Sequence, residues 1–179
     1  LVFGGWDIYE DNVYEAALQA EVLDAHQLHA LKAELESIRP MSAVFDRDYV
    51  RNIDGPNVKK AANKMDLAEL VMDDIRRFKE VNGCERVVMV WCASTEKYVE
   101  PCDIHQQIGA FEQALRDSDP RISPSMIYAY ASLKMGVPFA NGAPNLTCDI
   151  PALVELAKEH GVAIAGKDLK TGQTLMKTI

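Results

Sequence analysis

Apolar positions along the chain follow two alternating patterns. Short continuous runs at residues 1–3, 86–93, 137–140 and 162–165 read as strands, and between them apolar residues recur three or four positions apart, as on one face of a helix. The helical spacing predicts a long helix over 13–38, carried by Leu18, Val22, Leu28, Leu31, Leu35 and Ile38 and ended by Pro40, which lacks an amide donor. Residues 41–63 read as irregular, with Gly55-Pro56 a turn signal. A second helix is predicted over 66–80, capped by Asp66, with Leu67, Leu70, Val71, Ile75 and Phe78 on one side. Asn82-Gly83 breaks the pattern before the run at 86–93, whose lack of alternation predicts a strand buried on both faces. Helices follow over 103–115, 124–135 (Ser123 as cap, Pro124 in first position) and 151–160, the last stopped by Gly161.

Strand and helix alternating over short links predict an α/β fold with a parallel sheet and flanking helices. Each predicted strand runs into a small or polar cluster: Gly4-Gly5-Trp6-Asp7, Cys92-Ala93-Ser94-Thr95, Asn141-Gly142-Ala143-Pro144 and Gly166-Lys167-Asp168. Ligands of open parallel sheets bind beyond the carboxyl ends of the strands, and small residues there admit a planar or phosphorylated ligand to the backbone. Four such clusters read as one wall of a nucleotide site.

Composition narrows the partners. The formal net charge of -8 and pI of about 5.0 argue against nucleic acid, since the best basic cluster, Arg76, Arg77 and Lys79, lies among Asp73, Asp74 and Glu80. No apolar run approaches the roughly 20 residues needed to cross a bilayer. The start has no signal-peptide pattern; it opens without Met inside an apolar stretch, as a segment of something longer does. Cys84, Cys92, Cys102 and Cys148 form no C-x-x-C pair, which predicts free thiols in a reducing compartment. His26 and His29 could suit a metal pair but have no acid in register, so a solvated face is expected; His105 and His160 read as structural. Trp6 and Trp91 read as packing residues.

The strand-end clusters also carry a family resemblance. Gly5-Trp6-Asp7-Ile8 resembles the S-G-W-D-I segment of myo-inositol-1-phosphate synthases, and residues 90–98, V-W-C-A-S-T-E-K-Y, are similar to their L-W-T-A-N-T-E-R-Y. Residues 141–145, N-G-A-P-N, resemble N-G-S-P-Q, and residues 166–174, G-K-D-L-K-T-G-Q-T, resemble G-D-D-L-K-S-G-Q-T. Several uncommon motifs in order cover nearly the whole chain. The resemblance implies a Rossmann-like sheet incomplete at both ends. Residues 1–170 would form part of an NAD-binding domain without its first Gly-rich βαβ unit, and residues 171–179 would open a catalytic domain. It implies a cytoplasmic homotetramer, without nucleic-acid or membrane partners. The implied reaction is isomerisation of glucose 6-phosphate to myo-inositol 3-phosphate through oxidation at carbon 5, proton loss at carbon 6, aldol closure and reduction of the remaining ketone.

By position, the resemblance assigns Asp7 to an adenosine ribose hydroxyl, Ala43 and Val44 to the adenine region, and Cys92, Ala93, Gly142 and Ala143 to the dinucleotide. Asp168 would sit by the nicotinamide and order the proton relay, as the one catalytic residue in the chain. Thr171, Gly172, Gln173 and Thr174 would hold the substrate phosphate, with Thr171 also near the cofactor; free amides opening a helix suit an anion. The catalytic lysines of the family fall outside the chain, so this segment alone is expected to be inactive. Lys167 stands where the family has an acid and Ala143 where it has a serine, which leaves open whether a divalent or monovalent cation assists. Without the resemblance, Asp7 could equally be a helix cap, Asp168 a turn residue and residues 171–174 an ordinary loop-to-helix junction. A different NAD-dependent dehydrogenase and a non-catalytic nucleotide-sensing domain are the competing functions.

Overall fold

The computed structural model describes residues 1–169. Its strands are short and all parallel, and they form two sets. β1 (Trp6–Asp7) pairs with β2 (Met41–Ser42); β3 (Met89–Trp91), β4 (Phe139–Asn141) and β5 (Ile164–Ala165) pair in that order. Helices α1 (Val13–Ala20), α2 (Ala25–Ala30) and α3 (Lys32–Ser37) connect β1 to β2, and α4 (Lys64–Val81) leads to β3. A 3-10 turn (Asp103–His105), α5 (Ile108–Arg116) and α6 (Pro124–Lys134) connect β3 to β4, and α7 (Pro151–Glu159) connects β4 to β5. This is the expected Rossmann-like α/β arrangement.

Several predicted elements shift for local physical reasons. The helix predicted over 13–38 is three helices. A capping box starts the first: Asn12 Oδ1 accepts from the Glu15 amide (3.0 Å) while Glu15 Oε2 accepts from the Asn12 amide (2.9 Å). Glu21 then turns left-handed at φ 52° and ends it. The six-residue gap from Val22 to Leu28 breaks the helical spacing, and Val22, Leu23 and Leu31 end exposed while Leu28 is buried. Asn63, not Asp66, caps α4, its side chain accepting from the Asp66 amide at 2.9 Å. The first strand is Trp6–Asp7, beyond the glycines, because it is Gly5 O that accepts from the Met41 amide (2.9 Å); residues 1–3 have no strand partner among the described residues. β2 lies in the stretch read as irregular and extends through a parallel bridge between Ala43 and Val58.

The core lies under α6, whose residues from Pro124 to Leu133 are all buried. α6 packs on α4 and α7, and α5 joins them, with Phe111, Leu115, Ile127, Leu133, Phe139 and Leu153 essentially inaccessible. Each such side chain contributes about 1.5–3 kcal/mol by leaving water. The predicted cap and first position of α6 are as observed: the Met126 amide donates to Ser123 Oγ at 3.3 Å and Pro124 begins the helix. β3 departs from its prediction. Met89 is buried, but Val88 and Val90 are 63% and 53% exposed, because the strand's other face opens into a cleft between the two sets of strands.

Candidate functional site

The first side of the cleft is built on β1 and β2. Asp7 ends β1, and its Oδ1 accepts from the Tyr9 amide at 3.0 Å; Oδ2 has no partner among the described residues. α1 takes its cap from Asn12, so Asp7 is not a helix cap. Asn57 holds this turn from below. Its side-chain amide donates to Asp7 O (2.9 Å), Tyr9 O (3.3 Å) and Met41 O (3.4 Å), and its backbone amide to Ile8 O (2.9 Å). Gly55 makes the approach possible, since a Cβ there would lie 2.2 Å from Ile8 O. Ala43 and Val44 follow β2, both buried against the core and both lining the cleft.

A buried charge cluster anchors this side to α4. Asp74 accepts from Lys59 Nζ at 2.6 Å and from Trp6 Nε1 at 2.8 Å, and also pairs with Arg77. The Lys59 and Asp74 side chains are only 8% and 4% exposed, so neither ion has water as an alternative partner.

The second side is built on the ends of β3, β4 and β5. Past Trp91, the ladder continues as Gly142 N donating to Trp91 O (2.8 Å), then Leu169 N to Gly142 O (3.2 Å), with Asp168 N donating to Ala143 O (3.2 Å). Cys92, Gly142 and Asp168 therefore come together where three parallel strands end. A Cβ on Gly142 would lie 2.6 Å from Trp91 O, so only glycine permits this approach. The Ala143 amide is occupied by Asn141 Oδ1 at 3.1 Å, which leaves that position to pack rather than donate. Lys167 pairs with Asp149 at 2.9 Å, beside the start of α7.

Tyr128 on α6 joins the two sides. Its ring lies 5.2 Å from that of Trp6 and 5.5 Å from that of Trp91, and its hydroxyl accepts from the Val44 amide at 2.8 Å. Burial holds its phenol well above the usual range, so it stays protonated. Both tryptophans are packing residues, as the sequence suggested. Trp91 Nε1 is buried without an acceptor among the described residues, a donor facing the unfilled part of the fold's polar requirements.

The cleft holds about 1110 Å³, and Asp7, Ala43, Val44, Cys92, Ala93 and Glu96 all line it. Five of the predicted cofactor residues thus share one cavity; Gly142, Ala143 and Asp168 do not line it and are tied to the end of β3 by backbone hydrogen bonds. Thr171, Gly172, Gln173 and Thr174 lie outside the described residues. Sequence reading missed Asn57, Asp74, Glu96 and Tyr128, which act through partners distant in sequence; only Asn57, after the Gly55-Pro56 turn, and Glu96, inside a strand-end motif, had local signals.

The remaining candidates are structural. His29 Nδ1 lies 2.6 Å from the Tyr14 hydroxyl, and no cluster of potential metal ligands occurs among the described residues. His105 is fully buried between the Cys102 amide (3.2 Å) and Arg121 O (3.3 Å). All four cysteines are free, and burial pushes the Cys148 thiol up to about 11. Among the described residues no helix is long and apolar enough to cross a membrane.

Comparison with known proteins agrees with this geometry. An NAD-binding family model described as myo-inositol-1-phosphate synthase matches residues 1–176. Inositol-3-phosphate synthase 1 of Bacteroides thetaiotaomicron is 51% identical over all of this chain and 42% of its own length. The inositol-3-phosphate synthase of Saccharomyces cerevisiae is 33% identical over 99% of this chain and 36% of its own. The crystal structure of inositol-3-phosphate synthase from Caenorhabditis elegans superposes with a TM-score of 0.92 at 33% identity, covering 99% of this chain and 35% of that one. The chain spans less than half the length of these relatives. It belongs to the myo-inositol-1-phosphate synthase family.

Proposed function

We propose that this chain is the cofactor-holding part of an enzyme that isomerises D-glucose 6-phosphate to 1D-myo-inositol 3-phosphate. The observation that supports this most directly is the line of strand ends at the rim of the cleft: an unpartnered carboxylate oxygen of Asp7 on one side, and on the other Cys92 with its glycine-permitted neighbour Gly142. The residues present fit a dinucleotide. Asp7 leaves one carboxylate oxygen open, and past β3 residues 92–95 make no hydrogen bond among the described residues, with Ala93 and Ser94 small beside Cys92. NAD bound there supplies a hydride acceptor for the sugar-phosphate alcohol and, once reduced, a donor for the final ketone.

The chain's own residues bind and orient. Asp7 Oδ2 accepts from a ribose hydroxyl while the Tyr9 amide fixes Oδ1, and Ala43 and Val44 flank the adenine. Cys92, Ala93, Gly142 and Ala143 line the dinucleotide with small groups that exclude water. Asp168, held by its backbone against Ala143, stands beside the nicotinamide and orders the groups that move protons. Thr171, Gly172, Gln173 and Thr174 hold the substrate phosphate, with Thr171 also touching the cofactor. Lys167 is paired with Asp149 at 2.9 Å.

On this reading residues 1–170 are part of an NAD-binding domain and residues 171–179 open the catalytic one, with a Gly-rich βαβ unit before and the catalytic lysines after them in the full protein. A βαβ unit there would place its parallel strand between β1 and β3, joining the two sets into one sheet, and its helix over the face that exposes Val88 and Val90. The full protein is then a cytoplasmic tetramer.

The test is to supply full-length protein with glucose 6-phosphate and NAD, following phosphorylated product by NMR and NADH by absorbance. Inositol phosphate without net NADH is expected. Stoichiometric NADH without inositol phosphate would identify a dehydrogenase and overturn the proposal.

A further inference from the structure

Residues 92–95 contribute Cys92, Ala93 and Ser94 to the cleft, yet these four residues make no hydrogen bond among the described residues. Their conformation is set from the ends. At one end, Trp91 O accepts from Gly142 N. At the other stands Glu96, 6% exposed and itself lining the cleft.

Glu96 is bound on every side. Its Oε1 accepts from the Ser125 amide (2.8 Å) and its Oε2 from Ser125 Oγ (2.5 Å), both in the first turn of α6. Its own amide donates to Asn145 Oδ1 (2.9 Å), in the loop after β4. Ser125 Oγ also lies 2.8 Å from Thr147 Oγ1 and 3.0 Å from Ser123 Oγ, the α6 cap, so the network reaches both neighbouring loops. Lys97 N donates to Tyr49 O at 2.9 Å and fixes the chain just beyond. One buried residue thereby ties the turn after β3 to the helix start and to the loop carrying Gly142 and Ala143.

A buried carboxyl is an expensive way to close a gap that an apolar side chain could fill. Burial raises the Glu96 carboxyl above its usual range, and the hydrogen bonds from Ser125 and Ser123 oppose that rise. Ser123 and Ser125 face it, with Thr147 behind Ser125; its titratable neighbours are Lys64, Tyr49 and Asp46, of which Asp46 adds to the rise. What the carboxyl supplies in return is direction: two acceptors at fixed angles to α6, where the first-turn amides cannot reach water.

We propose that Glu96 is a positioning residue for the nicotinamide-side half of the dinucleotide, acting through residues 92–95 rather than by touching the cofactor. This rests on the NAD reading above. The adenosine half is held by Asp7, Ala43 and Val44 on the other set of strands, so the two halves of the ligand should respond differently to loss of Glu96.

The experiment uses the full-length protein, wild type and as Glu96→Ala, Glu96→Gln and Ser125→Ala. Affinities for NAD and for AMP are measured by calorimetry well below each melting transition. Glu96→Ala should weaken NAD about 10-fold or more, with AMP within about 2-fold, because the lost bonds include charge-assisted ones. Glu96→Gln keeps one acceptor for the Ser125 amide and should recover part of that loss; Ser125→Ala should weaken NAD about 3-fold. Equal weakening of AMP and NAD, or NAD affinity unchanged in Glu96→Ala, overturns the inference. If Glu96→Ala does not fold, unchanged NAD affinity in both Glu96→Gln and Ser125→Ala overturns it instead. A wild type that binds no NAD overturns the cofactor reading itself, and the inference with it.

Discussion

Gly142 is where a single methyl group should weaken fold and site together. A Cβ there would sit 2.6 Å from Trp91 O, 3.2 Å from Leu169 Cγ and 3.3 Å from Leu169 Cδ1. A carbon approaches a carbonyl oxygen comfortably at about 3.3 Å, so Gly142→Ala must push the two strand ends apart by roughly 0.7 Å. That stretches the 2.8 Å bond from Gly142 N to Trp91 O to the edge of hydrogen bonding. Losing the bond costs about 1 kcal/mol and overpacking adds about 1–3, giving about 2–4 kcal/mol of destabilisation. The displacement also moves Asp168 and Leu169, which hang from Ala143 O and Gly142 O. NAD affinity should therefore fall with stability. Gly109→Ala is the control: its Cβ meets nothing within 4 Å, and in α5 it should stabilise by about 0.5–1 kcal/mol. Chemical denaturation and NAD titration of the full-length protein measure both effects. Gly142→Ala with wild-type stability and wild-type NAD affinity would refute the close-approach argument.

Other consequences follow from the same geometry. Asp74→Ala leaves Lys59 buried and uncompensated and should cost about 3–5 kcal/mol in denaturant unfolding; adding Lys59→Met should recover a substantial part, and no recovery would show the pair is not the unit of stability. His105 has its pKa lowered chiefly by burial, so the stability it contributes is present above the unfolded value of about 6.5 and lost as pH falls from there towards the lower folded value. Melting temperature should drop more between pH 7.5 and 5 in wild type than in His105→Gln, and identical slopes would contradict this. Asp168→Asn should abolish product formation while leaving NAD binding largely intact, because its backbone bond to Ala143 survives; activity within a few-fold of wild type would remove its assigned role.

Legibility in the sequence followed the range of the forces involved. α6 and α7 were readable because their signals are local: Ser123 and Pro124 at one start, Pro151 at the other, and Gly161 after the end, each acting within a turn of its own position. The clusters after β4 and β5 were readable for a related reason, since close backbone approach at Gly142 and Gly166 excludes larger side chains there. The break at Glu21 was marked only indirectly, by the gap from Val22 to Leu28 in the apolar spacing, because the left-handed residue itself carries no compositional mark. Asp74 and Lys59 were invisible for the opposite reason. As single charges in polar stretches they read as surface, and only tertiary contact across 15 residues makes them a buried pair with Trp6 as third partner.

β3 is the case where the sequence and the structure pull apart in a useful way. An unbroken run such as V-V-M-V-W is selected when both faces of a strand are covered, yet Val88 and Val90 are exposed while Met89 between them is buried. The two observations agree if the exposed face is meant to be covered from the side of the cleft. The position of the cover is constrained: β1 and β3 are each paired on one edge only, to β2 and β4, and Tyr128 holds Trp6 and Trp91 at ring-contact distance across the space between them. Under the proposed function a βαβ unit entering there would lay its helix over the face that carries both valines, and its parallel strand would pair with the edges left open among the described residues. It also delivers its own carboxyl end to the same line as Asp7 and Cys92, where a dinucleotide's phosphates would lie under the proposed function. Apolar continuity in β3 and the gap between the two sets of strands would then have one cause, rather than being two separate features of the fold.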